Sequence, residues 1–514
     1  DGYLLSKSKN TLMIFPPGKA NSKFTPLPPS ITAIGEYAFY DCKKLENVTV
    51  PNKVMSIGKR AFGLCDNLNT ITFLCDQIIT PMNINQEQNE ESFDVDKPGQ
   101  KKMGKIKINV RKDKLSAYQS DPFYQKFASI NSSFQAGTEE YIAVSENAVD
   151  LLSTTRNDHT FILPTEISNG SKKYEVSLIG DYAFENAPNS IKEVVVKQNV
   201  KYIGAKAFVK NNSKIQSVFF IESEPTKEML GTTRFELDAT GKNYNEFDPD
   251  TKIYVKKSAY DKYKAEWTKT VYNDTKKREG LSPFNFTSQI DYKIKDTQIE
   301  TKYVTFAREF DVDFGDCASN GGVNVAAFVY GRLLNGSGDY GGNTPQHIRM
   351  KSIDQHGGVS DSYAYVPANT GVLLKILGSK NSTGGLLYYT IGEKDNVTYH
   401  ITDNVMNGIE VNSKKVDAST TSPIYVLQKG VFKKATAPIL NFPVHKAYLT
   451  LPSGAAPSKE LKPCFDDDET TNIENVTTSE EMKANDVYYN LNGQRVSNPQ
   501  KGVYVHNGRK VLVK

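Results

Sequence analysis

Only a few strings in this chain have residue types and spacings that could do chemistry. Gly336-Ser337-Gly338-Asp339-Tyr340-Gly341 has the glycine spacing of a dinucleotide-binding turn and follows a strand-like run from Val323 to Tyr330. A pyrophosphate site also needs a helix whose N-terminus faces the phosphates, and an acidic residue ending a strand about 20 positions on. Gly342-Asn343-Thr344-Pro345 follows instead, so the string reads as a glycine-rich hairpin loop. The histidines His159, His347, His356, His400, His445 and His506 are dispersed, with no H-E-x-x-H pair and no cysteines at zinc-ligand spacing, and are expected on the solvated surface. Asp311, Asp313 and Asp316 offer oxygens that suit calcium, but the segment lacks the glycine turn and distal Glu of an EF-hand loop. No G-x-S-x-G or P-loop string occurs. The expectation is therefore no catalytic residue, no cofactor and no metal. A glycosidase's carboxylate pair leaves no sequence spacing to recognise, which keeps a glycan-active enzyme within residues 285–463 as an alternative.

The chain has 514 residues, too many for one hydrophobic core, and implies several domains. Its net charge is only +4, with lysines scattered among acids, so the basic stripe that a phosphate backbone needs is missing and nucleic acid is not an expected partner. No run of 18 apolar residues is present to form a membrane-spanning helix. The chain begins at Asp1 without a Met or a charged-then-apolar leader, so the expectation is either a cytosolic protein or one whose leader has been removed. Five cysteines (Cys42, Cys65, Cys75, Cys317, Cys464) form no C-x-x-C pair and are too few to staple a chain of this length.

Internal repeats organise the first half. Ile34-Gly35-Glu36-Tyr37-Ala38-Phe39 recurs as Ile57-Gly58-Lys59-Arg60-Ala61-Phe62, a spacing of 23 residues. The same I-G-x-x-A-F returns as Ile179-Gly180-Asp181-Tyr182-Ala183-Phe184 and Ile203-Gly204-Ala205-Lys206-Ala207-Phe208, now spaced by 24 residues. The added residue sits between the Phe and a strand of the form L-x-x-V-x-V, such as Leu45-Glu46-Asn47-Val48-Thr49-Val50. Leu45, Val48 and Val50 are expected to point inward and Glu46, Asn47 and Thr49 outward, while Gly35 permits a corner and Phe39 fills the core. No turn can bury its apolar face alone, so successive turns must stack with strands about 4.8 Å apart. Cys42 and Cys65 hold equivalent places in successive turns and read as a ladder of buried thiols, with a stacked disulfide as the alternative. Each block is expected to close with a last strand and a short covering helix, Leu115 to Phe127 in one and Ala259 to Trp267 in the other. Residues 80–104 and 222–250 are candidate loops or disordered spans between repeats and cap.

Four such copies with correctly placed strands resemble the BspA-like leucine-rich-repeat family, surface and secreted proteins of Bacteroides-type bacteria and some mucosal protozoa. The resemblance covers roughly residues 1–270 and implies an extracellular location and a role in adhesion. Beyond Phe284, short alternating runs punctuated by Gly, Asn and Ser suggest a β-sandwich or barrel. Val366 to Leu374 and Lys446 to Pro452 resemble a β-rich module of surface proteins from the same bacteria. Asp466 to Asp486 reads as an acidic linker. The end of the chain reads as two hairpins centred on Asn-Gly, resembling the C-terminal tail of secreted Bacteroidetes proteins.

The expected fold is thus mainly β with some α. Two short leucine-rich-repeat solenoid blocks with caps (1–130 and 138–275) precede a β-sandwich-like domain (285–463), a linker (464–486) and a small β-hairpin tail (487–514). The expected function is non-catalytic binding of an extracellular protein or glycan through the outward strand positions Asn47, Thr49, Thr70, Thr72, Glu193, Val195, Ser217 and Phe219. A structural spacer or surface-assembly component is the other reading. Val195 and Phe219 stand out as apolar residues at positions expected to be exposed.

Overall fold

The computed structural model describes residues 4–513 apart from 20–26, 82–102, 231–245, 318–324, 335–346, 354–364, 378–385, 394–401, 466–473, 477–487 and shorter stretches. The glycine string at 336–341, Asp316, His356 and His400 lie outside the described residues, as do most of the two polar insertions. Among the described residues the regular structure is mostly β, with two α-helices, and the chain divides into two units, Asp1–Ser288 and Gln289–Lys514.

In the first unit the repeats stack as their spacing demands. Strands β1 (Asn47–Val50), β2 (Thr70–Phe73) and β3 (Lys107–Val110) run parallel, with Asn47 beside Thr70 and Thr70 beside Lys107. On the other side of each turn, Thr11–Ile14, Ala33–Ile34, Ser56–Ile57 and Thr80–Pro81 form a second parallel ladder, edged by Leu4–Leu5. Leu45, Val48 and Val50 are fully buried, as their alternation predicts. Between the two ladders runs a column of rings: Phe15 stacks on Phe39 at 4.8 Å between centroids, and Phe39 on Phe62 at 4.9 Å. Beside it Cys42 and Cys65 are buried and not joined in a disulfide. Each thiol points to the Phe carbonyl of the preceding turn, Cys42 Sγ 3.8 Å from Phe15 O and Cys65 Sγ 3.0 Å from Phe39 O.

The second block repeats the plan in Thr160–Ile162, Glu193–Val196, Ser217–Phe220 and Lys252–Val255. Its column runs Phe161, Phe184, Phe208 and then Phe247, which stacks on Phe208 at 4.9 Å from beyond the insertion. The caps contain helices α1 (Leu115–Ser120) and α2 (Tyr260–Glu266), which drive Tyr118 and Tyr263 into the core; Tyr124 and Trp267 follow them inward. Neither cap follows a last strand, however. Ser129–Ser132 and Asn285–Thr287 add one more parallel strand after the helix, pairing the edge that would otherwise be open.

The glycine of the repeat has a different role from the one expected. The left-handed residue is the fourth of I-G-x-x-A-F, namely Tyr37 (φ 56°), Arg60 (φ 51°), Tyr182 (φ 61°) and Lys206 (φ 52°). The glycine is needed for close approach: a Cβ on Gly35 would lie 2.8 Å from Leu12 O, and one on Gly58 2.5 Å from Glu36 N.

In the second unit a nine-stranded sheet runs in the order Tyr303–Phe306, Val372–Ile376, Val325–Leu334, His347–Ser352, Glu460–Phe465, Val431–Lys434, Ile424–Gln428, Lys446–Thr450 and Met406–Ile409. Its core includes Phe328, Leu373, Tyr425, Phe432, Leu449 and Leu461. A four-stranded sheet joins Ile290–Lys293, Leu386–Ile391, Val312–Asp313 and Tyr365–Val366. At the C-terminus, Tyr488–Tyr489 pairs with Arg495–Val496, and Gly502–His506 with Arg509–Val513, both antiparallel. The Asn-Gly turns between them lie outside the described residues. Part of the stretch read as a linker is a strand, since Glu474–Val476 runs parallel to Val511–Val513.

Gly58→Ala is expected to cost about 1–3 kcal/mol of stability, because the added methyl meets backbone and cannot be accommodated by a rotamer change. Lys206→Gly, which relieves a left-handed backbone but loosens the unfolded chain, should leave stability within about 1 kcal/mol of the parent. Melting curves of the two variants check the pair; a Gly58→Ala protein as stable as the parent would mean that the turns can move apart.

Candidate functional site

The strand face expected to meet a partner is turned inward against the protein itself. Asn47, Thr49, Thr70 and Thr72 do point away from the Phe column, yet they are only 6%, 8%, 3% and 0% exposed. The reason is a second layer. An antiparallel hairpin, Glu139–Ala143 with Ala148–Thr154, opens the second block and lies over the face. Thr72 Oγ1 donates to Ala143 O at 2.9 Å, and Asn109 Nδ2 donates to the same carbonyl at 2.7 Å. Strand alternation says which way a side chain points, not what lies beyond it, and no signal in the repeat motif marks the covering layer. In the second block Val195 and Phe219 are also buried, Phe219 stacking on Tyr254 at 4.8 Å, while Glu193 and Ser217 are half-buried. The eight positions therefore do not form an exposed binding face.

What the junction of the blocks does form is a cavity of about 10 Å³, room for one water-sized occupant. Leu27, Thr49 and Pro51 line it from the first block, and Asp150, Asp181 and Tyr202 from the second. Asp150 lies on Ala148–Thr154, opposite Leu178 of the parallel neighbour Lys172–Ile179. It is 1% exposed, and neither carboxylate oxygen has a hydrogen-bond partner. Burial, and after it the charge of Asp181, pushes its carboxyl well above the usual carboxylate range. Asp181 is the third residue of a repeat motif, and the following turn partly satisfies it. Its Oδ1 accepts from Ala205 N at 2.8 Å and from the Tyr202 hydroxyl at 3.5 Å. Its pKa is nevertheless pushed up to about 6, first by burial and also by Glu246, against the pull of those hydrogen bonds and of Lys53.

The second unit holds a buried charged group of its own. Arg308 Nη2 donates to Glu309 Oε1 at 2.7 Å, with the two side chains 3% and 0% exposed. Arg308 Nη1 donates to the Tyr389 hydroxyl at 3.3 Å and lies 3.4 Å from Nδ1 of His445, whose Nε2 is 3.8 Å from Glu309 Oε2. The guanidinium also sits over the Phe310 ring, 4.7 Å from its centre. His445 is thus not the solvated histidine its isolation in the sequence suggests, since an Arg-Glu dipeptide more than a hundred residues away folds against it. Burial, opposed by a backbone hydrogen bond and reinforced by the charge of Glu309, raises the carboxyl of Glu410. Of the aspartates considered for calcium, Asp311 accepts from Ala368 N at 2.7 Å and from the Tyr365 hydroxyl at 3.3 Å, and Asp313 accepts from Gly315 N at 2.7 Å. Asp311 thus braces the backbone at Ala368, 57 residues on, and Asp313 its own turn.

Stacked turns, each with a short parallel strand, a Phe of the ring column and an I-G-x-x-A-F corner, are repeats of the leucine-rich-repeat type. More particularly, residues 19–90 and 153–230 match the model of the BspA type leucine rich repeat region, in six copies. No curated protein matches the chain. Among solved structures, the chain is similar to the pneumococcal vaccine antigen PcpA, with 14% identity and a TM-score of 0.14 over 52% of this chain and 44% of that one. It therefore spans less than half of PcpA's length. A leucine rich cell surface protein from Faecalibacterium prausnitzii is similar at 16% identity, with a TM-score of 0.17 over 46% of this chain and 74% of that one.

The junction carboxylates make a pH prediction. A carboxyl whose folded pKa is raised binds a proton more tightly in the native state, so its contribution to stability falls as pH rises from the unfolded value of about 4 to the folded one. In chelator-containing buffer, Asp150→Asn should raise the melting temperature at pH 7.5 and change it little at pH 3.5, where the parent carboxyl is already neutral. A lower melting temperature for the variant at pH 7.5 would contradict this account.

Proposed function

We propose that this is a non-catalytic, secreted or cell-surface binding protein that recognises an extracellular protein or glycan through the outer surface of its first repeat turns. Support for a binding role comes from the six BspA-type repeats. With the strand face consumed at the block junction, five of the seven exposed large apolar side chains among the described residues fall in the first turns: Leu4, Met13, Ile14, Tyr37 and Met55. Leu4 and Ile14 are direct partners across the edge hairpin, 54% and 50% exposed, and Tyr37 meets Tyr40 edge-on at the corner that follows Ala33–Ile34. Exposed apolar and aromatic side chains held on stacked turns suit a partner with a partly apolar surface.

Burial of the strand faces is also the observation that favours the structural reading, in which the repeats are a spacer for the second unit. For a glycan-active enzyme in residues 285–463, one pair of carboxylates close enough to interact is Glu309 with Glu410. Glu309 is shut off from solvent and held by Arg308, which suits a structural brace better than an acid or nucleophile at a cleft. Among the described residues no helix is long and apolar enough to cross a membrane.

Screening the full chain against extracellular-matrix proteins and a glycan array tests the proposal. Saturable binding that Ile14→Lys and Met55→Lys weaken about tenfold or more, with unchanged melting, is the expected result. Absence of binding throughout would favour the spacer, and binding insensitive to both variants would move the site away from the first turns.

A further inference from the structure

We propose that the cavity between the two repeat blocks is a site for one hard divalent cation, Ca²⁺ in the first instance, bound by the carboxylates of Asp150 and Asp181 with the hydroxyls of Thr49 and Tyr202. The inference stands apart from the reading of the outer surface as a binding face. It begins with Asp150. A carboxylate removed from water is costly unless donors, a proton or a cation compensate it. Asp150 is 1% exposed, lines the cavity, and accepts no hydrogen bond from any protein group at either oxygen. A second carboxylate, Asp181, lines the same cavity, and their proximity works against both being ionised without a positive charge between or beside them. Lys53 is the cation that acts on Asp181, but it is an exposed side chain and makes no bond to Asp150.

The chemistry of the lining selects the ion. All four polar groups offer oxygen, with no imidazole or thiolate among them, which suits Ca²⁺ or Mg²⁺ rather than zinc or copper. Calcium tolerates irregular shells of six to eight oxygens, so bidentate carboxylates, hydroxyls and backbone carbonyls can share it, whereas magnesium demands a near-ideal octahedron and keeps several waters. A cavity with room for one water-sized occupant leaves no space for a hydrated magnesium. Thr49 belongs to the first block and the other three ligands to the second, so the ion would tie the blocks together.

The test uses the full chain, freed of metal with EDTA and held at pH 7.5. Titration with CaCl₂, and separately with MgCl₂ and with NaCl at matched ionic strength, is followed by calorimetry and by melting. The proposal expects uptake of one Ca²⁺ per chain with a rise of several degrees in melting temperature, and a weaker response to Mg²⁺. Asp150→Asn should fold, melt no lower than the metal-free parent, and lose the calcium response; Tyr202→Phe, a smaller change, should weaken calcium binding about tenfold. The proposal is overturned if Asp150→Asn takes up calcium as the parent does. It is also overturned if the parent shows no calcium uptake and instead gains stability as pH falls through about 6, which would make the occupant a proton.

Discussion

The distance between successive turns governs this molecule. Parallel strands bond at about 4.8 Å, and every other component must fit that spacing. A ring column can follow it because flat aromatic side chains offset and stack, as Phe15, Phe39 and Phe62 do. The corners can follow it only if backbone meets backbone, which is why glycine stands where a Cβ would strike the preceding turn and why the next corner residue but one is forced into left-handed conformation. About 1–2 kcal/mol of strain at each such residue is a cost the stack carries for that proximity. Capping follows from the same constraint, since a stack held by its neighbours leaves two ends without one.

Much of this was legible in the residues. The period, the inward Leu45-Val48-Val50 set, the equivalent thiols and both cap helices all follow from spacing alone, because each depends on contacts within a turn or between adjacent turns. Phe247 was not legible, lying past an irregular insertion where the period is lost. The parallel strands after each cap helix, Ser129–Ser132 and Asn285–Thr287, carry no repeat motif of their own.

The candidate site was the least legible part, and the reason is physical. Asn47, Thr49, Thr70 and Thr72 have the composition of a water-facing strand surface, yet they are buried, and a covering hairpin offers the Ala143 carbonyl to Thr72 and to Asn109. A polar buried interface and a polar wet surface share one sequence pattern. Asp150 is hidden in the same way. It sits in an ordinary alternating strand, and only its position between two blocks leaves it without donors. His445 and the Arg308–Glu309 pair, likewise distant in sequence, show that the buried charges of both units depend on long-range folding rather than on motifs.

The hairpin over the first block also bears on how such a protein can change over generations. Repeat arrays commonly gain or lose whole units through slippage in the gene, and an ordinary solenoid absorbs the change by growing or shrinking at no particular place. Here one strand face is tied to a layer that belongs to the second block, Thr72 and Asn109 both donating to the Ala143 carbonyl. Inserting a turn between Asn47 and Asn109 would carry the first block's contacts one strand spacing past their partners, setting Thr72 and Asn109 against the wrong backbone. The count of turns beneath the hairpin is therefore fixed by the neighbour above it, and variation in length is left to the two polar insertions and to the ends of the stack.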